Sequence, residues 1–367
     1  MEDDILIKYS DKYFDAKSSV YNKSLSELSA RLMLISHNKR EMREFFEDNG
    51  FECRFVNYHS TKKPSYSVGF AIGWKKSKKM GDICIISIRG TVKGEWYSNF
   101  DLFERNNSEF DKHMGFFGAA EDVIDECDRL FSERNNVHFL VTGHSRGGAV
   151  ANIVSYVLSE EKEYTKKDLV FGITLASPNV SKSIDTEMNN IYNFVNKDDI
   201  ITLIPLNVHN SPWAYKRYGE TILMDINSGN KRLNKLIIKY YQRITGEEFV
   251  PIEEGDTDDV IESVLTLSPA PSDYYSRKSH AFLKKKVSMY DYFRQGILKI
   301  LSGNSPLSGG VFLHQTKRGA YSTVTEYLMK YASGEINCDS PYAKGIECNH
   351  CRELYYSFVK AYNKHTY

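Results

Sequence analysis

Ser145 is the residue around which chemistry could be built. It stands in Gly143-His144-Ser145-Arg146-Gly147, directly after the apolar run Val137 to Val141. Behind it comes a small, apolar stretch with Gly148, Ala149, Ala151, Val154 and Val157. The run has the length of a buried parallel strand, and the stretch behind it predicts a helix. Strand, G-x-S-x-G and helix together are the setting of a nucleophile elbow. The chemistry explains the residue types. A hydroxyl nucleophile must stand on a strained turn, and the flanking glycines let strand and helix approach without Cβ clashes. The helix start offers backbone N–H groups to an oxyanion. The phosphate-binding pattern G-x-x-x-x-G-K-[ST] does not occur in the sequence.

A serine nucleophile needs a base, and the base needs an acid to orient it. The strand Ile191-Tyr-Asn-Phe-Val195 leads into Asn196-Lys-Asp-Asp-Ile-Ile-Thr-Leu-Ile-Pro205, which offers Asp198 and Asp199 side by side. Five histidines follow: His209, His280, His314, His350 and His365. His209 lies too close behind the acid to return to it, and His365 falls in a terminal stretch that tends to fray. His280 precedes Lys284 to Lys286, which would oppose an imidazolium, while His314 sits in an apolar context that suits a core histidine. His350 stands just ahead of a helix expected from about Arg352 to Tyr362. It would lie on a loop free to face the elbow, with the helix fixing its position.

The elements that must position these groups are legible as periodicities. Leu25, Leu28, Leu32 and Ile35 predict a helix from about Leu25 to Ser36, and Lys39 to Asp48 a second, ending at Gly50. Phe51 to Tyr58, Tyr66 to Trp74, Asp82 to Arg89 and Leu169 to Leu175 read as strands. The basic residues Lys75, Lys76, Lys78 and Lys79 suit a solvated hairpin turn, with a membrane-surface patch as the sharper alternative. Ala120, Val123, Ile124, Cys127, Leu130 and Phe131 mark one face of a helix opened by His113-Met-Gly-Phe116. Leu233, Leu236, Ile237, Tyr240, Tyr241 and Ile244 mark an amphipathic helix ended by Gly246.

Between Asp82 and Gly219 these pieces resemble the class 3 lipases of the α/β-hydrolase fold. The resemblance rests on a strand ending in Arg89-Gly90-Thr91, the segment Trp96-Tyr-Ser-Asn-Phe-Asp-Leu102, the His113-Met-Gly-Phe116 helix start, and the elbow. Ala176-Ser-Pro-Asn179 is similar to the family's turn, although Asn179 departs from its usual arginine. The resemblance implies an oxyanion hole from the amides of Thr91 and Arg146, and a lid in Val92 to Leu102 with Trp96 facing the acyl site. Trp96 as an ordinary core aromatic is the alternative. The family's N-x-x-D-x-V-x-x-x-P, counted from Asn196 and back from Pro205, selects Asp199 as the acid and leaves Asp198 as a surface neighbour or loop cap. Its H-x-x-x-x-Y before the last helix is similar to His350-Cys-Arg-Glu-Leu-Tyr355 and favours His350 as the base. Trp213-Ala-Tyr-Lys-Arg-Tyr-Gly219 resembles a segment that follows the acid in bacterial members.

The expectation is therefore an α/β-hydrolase: a mostly parallel central sheet flanked by helices, with a helical insertion late in the chain. Residues 1–219 would form the core, 220–337 a mostly helical insertion or cap, and 338–367 a return to the core carrying the histidine. A helical buttress without substrate contact is the other reading of the insertion. The implied activity is hydrolysis of carboxylic esters by Ser145, Asp199 and His350, as a lipase or phospholipase. A thioesterase or acyltransferase would use the same residues, and a silent lipid- or protein-binding scaffold would keep the fold. The implied partners are a lipid or other acyl ester and transient contact with a lipid interface. Neither cofactor nor metal is needed.

Composition sets the remaining bounds. Of 367 residues, 41% are hydrophobic, ample for a core, and 48 basic residues balance 48 acidic ones, so net charge points to no nucleic-acid partner. No stretch approaches the ~20 apolar residues of a membrane span, and the acidic start lacks the features of a secretory signal. Six cysteines without an even spacing suggest reduced thiols and a cytoplasmic location. Cys338, Cys348, His350 and Cys351 together form a competing candidate zinc set.

Overall fold

The apolar runs of the sequence become the strands of one twisted sheet. The structure, a computed structural model, describes residues 7–58, 67–90, 113–182, 184, 187–203, 215–227, 229–249 and 348–366. Its strands are β1 (Glu52–Val56), β2 (Phe70–Ser77), β3 (Gly81–Ile88), β4 (His138–His144), β5 (Val170–Leu175), β6 (Ile191–Asn196) and β7 (Glu220–Met224). They lie in the order β1-β2-β3-β4-β5-β6-β7. The first three pair antiparallel, and β3 through β7 pair parallel. Strands β4, β5 and β6 are buried along their whole length, as expected where helices cover both faces.

Those helices are α1 (Lys23–Ile35), α2 (Lys39–Asp48), α3 (Met114–Phe131), α4 (Arg146–Glu161), α5 (Lys231–Thr245) and α6 (Arg352–Thr366). Side chains alternate across a strand, so each strand feeds two cores. In β4, Leu140 joins Leu28, Leu32, Phe46 and Phe358 on one face. Its neighbours Phe139 and Val141 join Val123, Phe131 and Ile153 on the other. Each such side chain contributes on the order of 1.5–3 kcal/mol on full burial. Asparagines set the helix starts: the Asn22 carboxamide oxygen accepts from the Leu25 amide at 3.0 Å, and Asn230 accepts from the amides of Arg232 and Leu233. A mostly parallel sheet with helices on both faces, and the serine between β4 and α4, is the α/β-hydrolase arrangement.

Two details differ from the expectation. Strand β7, not anticipated, pairs Glu220 with Tyr192 and Met224 with Asn196, so the sheet continues past residue 219. Its pattern is uninformative because an edge strand is only half buried: just Ile222 and Met224 are covered. The basic run does bracket a hairpin, with Ser77 opposite Gly81, but Lys75 is not a solvated member of it. Its ammonium pairs with Asp11 at 2.7 Å, donates to the Asn49 carbonyl at 3.0 Å, and lies 4.4 Å from the Tyr9 ring centre. Residues 250–347, with most of the expected insertion, lie outside the described residues. No helix among the described residues is long and apolar enough to cross a membrane.

Candidate active site

Ser145 occupies the junction of β4 and α4 with φ 57° and ψ −127°, a conformation non-glycine residues rarely adopt. The surrounding structure enforces it. The Ser145 amide donates to the Leu175 carbonyl at 3.0 Å, and the Ser145 carbonyl accepts from Ala149, starting the helix. A Cβ on Gly143 would collide with the Gly147 carbonyl, and one on Gly147 would collide with the Ile88 and Arg89 carbonyls. Only glycine lets strand and helix close this tightly. The turn thus holds the hydroxyl at the carboxyl end of the parallel strands, where ligands bind in open α/β sheets.

Two distant segments converge on that hydroxyl. His350 Nε2 lies 2.9 Å from Ser145 Oγ, and His350 Nδ1 lies 2.7 Å from Asp199 Oδ2. Asp199 follows β6, and His350 stands two residues ahead of α6. All three residues are buried, Asp199 with only 1% of its surface exposed. Asp199 is further held by the Tyr355 hydroxyl, which donates to Oδ2 at 2.7 Å, and by the Ile201 amide, which donates to Oδ1 at 3.1 Å. Tyr355 OH also accepts from the Asn196 amide at 3.0 Å. Burial and the Asp199 charge hold the Tyr355 phenol well above its ordinary pKa, so it stays a donor.

Asp198, the adjacent candidate, faces elsewhere: its Oδ2 accepts from Asn227 at 3.1 Å. The loop before α6 is tied down twice. Asn196 Nδ2 donates to the carbonyl and side-chain oxygen of Asn349, and His144 Nε2 lies 3.0 Å from the His350 carbonyl. Burial keeps His144 neutral, its pKa well below the ordinary histidine value, so Nε2 carries the proton it donates. Neither His144 nor Tyr355 was singled out as a partner from sequence. His144 carries no signal beyond its place beside the serine, whereas Tyr355 is the tyrosine of the H-x-x-x-x-Y pattern that favours His350.

The Arg146 amide sits at the first position of α4, beside the serine. The Arg146 side chain is buried, donates to the Gly115 and Ser67 carbonyls, and lies 5.9 Å from the Phe116 ring centre, so it ties α4 to α3. Thr91, Trp96, Cys338 and three of the histidines considered (His209, His280 and His314) lie outside the described residues. His365 is on the surface, 3.1 Å from Asn230. Among the zinc candidates, His350 uses one nitrogen on Ser145 and the other on Asp199, and the Cys348 and Cys351 thiols donate to Tyr241 OH and the Cys348 carbonyl.

The arrangement is that of a hydroxyl, an imidazole and a buried carboxylate in line. Residues 85–209 match the family lipase (class 3). That span begins in β3, contains the elbow and Asp199, and ends before the histidine. A curated relative, triacylglycerol lipase OBL1 of Arabidopsis thaliana, is 25% identical over 150 residues, covering 35% of this chain and 27% of the relative. The chain therefore matches about a quarter of that relative's length. Among solved structures, a triacylglycerol lipase with a serine protease triad as its catalytic centre superposes with a TM-score of 0.39 and 17% identity, covering 61% of this chain and 83% of that one. The Rhizomucor miehei lipase in complex with its propeptide gives a TM-score of 0.36 and 17% identity, covering 55% and 66%. The class 3 lipase match lies on the segment where the sequence alone carried the resemblance.

Proposed function

We propose that this chain is a serine hydrolase that cleaves carboxylic esters through an acyl-enzyme, acting on lipids as a lipase or phospholipase. The observation that carries the reading is the Ser145–His350–Asp199 chain of hydrogen bonds, 2.9 and 2.7 Å long, at the head of the elbow helix. His350 Nε2 takes the Ser145 proton as Oγ attacks the ester carbonyl, then returns it to the leaving alcohol. Water, deprotonated by the same nitrogen, then releases the acid and restores the hydroxyl. Asp199 fixes the tautomer that presents a bare Nε2 and stabilises the imidazolium formed in between. The amides of Arg146 and Thr91 would hold the tetrahedral oxyanion, a contribution of about 3–4 kcal/mol per donor in comparable sites.

The class 3 lipase match and the triacylglycerol lipase relative support a lipid ester as substrate, met at a lipid interface. Within this reading Trp96 belongs to a lid over the acyl site, the part of the expected insertion beyond α5 caps the same face, and the 338–367 segment supplies the base. The Trp213 to Gly219 segment favours a bacterial-type member, although the curated relative is from a plant. Free thiols at the five described cysteines agree with a cytoplasmic location.

The test is turnover of p-nitrophenyl esters of graded chain length, with triacylglycerol and phospholipid emulsions and an acyl thioester, by wild type and Ser145→Ala. Ester turnover that Ser145→Ala abolishes while remaining folded supports the proposal. Preference for the thioester, or acyl transfer to an added alcohol over water, moves the assignment to the thioesterase or acyltransferase. A wild type that neither turns over esters nor reacts with a fluorophosphonate probe is a silent scaffold.

A further inference from the structure

We propose that Arg217 is a positioning residue of this site, one that clamps the turn directly behind Asp199 and so fixes the carboxylate. The inference rests on the hydrolase reading above.

The geometry starts from one planar guanidinium between two loops. Arg217 Nε donates to the Ser177 carbonyl at 2.5 Å, two residues past the end of β5, and Nη2 donates to the Thr202 carbonyl. Thr202 belongs to the short turn Ile200–Leu203 that directly follows Asp199. Its amide and its hydroxyl both donate to the Asp199 carbonyl, at 3.1 and 2.8 Å. Arg217 therefore grips the one turn whose shape fixes where the Asp199 carboxylate points. A rigid fork with several donors can span two carbonyls in this way, while a lysine ammonium acts as a point charge.

Arg217 is itself fixed from both sides. Its neighbour Lys216 pairs through the backbone with Ser181, its amide donating to the Ser181 carbonyl at 2.7 Å. Tyr218 is held by two buried asparagines. Asn152, on the helix that begins at Ser145, accepts from the Tyr218 amide at 3.0 Å and donates to its carbonyl at 2.8 Å. Asn193, on the strand that leads to Asp199, donates to the same carbonyl at 2.8 Å and accepts from Asn152 at 2.9 Å. The nucleophile helix and the acid strand are thus joined through the segment that carries Arg217.

Charge strengthens the clamp. The residue keeps some exposed surface, but its guanidinium lies among protein atoms, and burial lowers its pKa to about 10, leaving it charged at neutral pH. The Asp199 charge attracts it.

The experiment compares wild type, Arg217→Met and Arg217→Lys by ester hydrolysis across pH, fluorophosphonate labelling and thermal melting. Arg217→Met is expected to lower kcat by about ten- to a hundredfold with KM little changed. Arg217→Lys, which keeps the charge but lacks the fork, should recover only part of the lost kcat. A folded Arg217→Met protein with wild-type kcat overturns the inference, as does a melting point that falls with kcat unchanged. Should Arg217→Met fail to fold, Arg217→Lys decides: depressed kcat with KM unchanged supports the clamp, and wild-type kcat overturns it. Wild type that labels normally confines such a failure to Arg217, whereas an unlabelled wild type overturns the hydrolase reading and this inference together.

Discussion

Replacing Tyr355 by Phe removes one oxygen atom from the buried end of the site, and two groups lose a partner. Asp199 Oδ2 loses a donor at 2.7 Å, and the Asn196 amide loses its acceptor at 3.0 Å. A hydrogen bond to a charged group contributes about 1.5–3 kcal/mol, and an orphaned buried amide costs about 1–3 kcal/mol. The two overlap, because water admitted at the vacated position would satisfy part of both. A net loss of about 2–4 kcal/mol follows. With unfolding entropy of ~2.1 cal/mol/K per residue, 367 residues convert this to a fall of about 3–5 °C in Tm. Asp199 keeps His350 and the Ile201 amide, so the line of hydrogen bonds survives in a looser form. The expected fall in kcat is about tenfold, with KM unchanged. Differential scanning calorimetry and ester turnover on the same preparation measure both. A Tm within about 1 °C of wild type and kcat within about twofold would refute the claim that this hydroxyl holds the acid in place.

The two adjacent aspartates should behave very differently. Asp199→Asn is expected to cost about 10⁴-fold in kcat, through loss of the correct histidine tautomer, while Asp198→Asn, whose carboxylate faces Asn227 and not His350, should stay within a fewfold in the same assay. Stability should also fall on the acid side of neutrality. Burial depresses the folded-state pKa of His144, so its contribution is fully present above the unfolded value of about 6.5 and is lost as the pH drops below it, because the unfolded chain takes up a proton that the folded one refuses. That slope is at most about 1.4 kcal/mol per pH unit for one group. Urea midpoints measured from pH 7.5 down to 4.5 should decline less steeply in His144→Asn, and parallel curves would show that another group dominates.

The residues around Ser145 spell out their own local structure. An apolar run, two glycines that a Cβ would jam, and a small-residue helix leave one compact geometry for the turn. The same is true of α2, whose observed bounds Lys39–Asp48 match the expected helix ending at Gly50, with Met42, Phe45 and Phe46 buried along it. Strand β7 was not legible, because a half-covered edge strand has too few buried positions to show a period. The choice between Asp198 and Asp199 was a question of register, which a pattern of fixed spacing addresses. The pairing of Asp199 with His350 is of another kind: 151 residues separate them, and most of the intervening chain leaves no trace in local periodicity. Sequence determines strands, turns and helices because those depend on neighbours a few residues apart. Which carboxylate meets which imidazole, and that Tyr355, His144 and Arg217 close around them, depends on the order of strands in the sheet and on helix α6 returning to pack beside β6. Only tertiary structure decides contacts of that range.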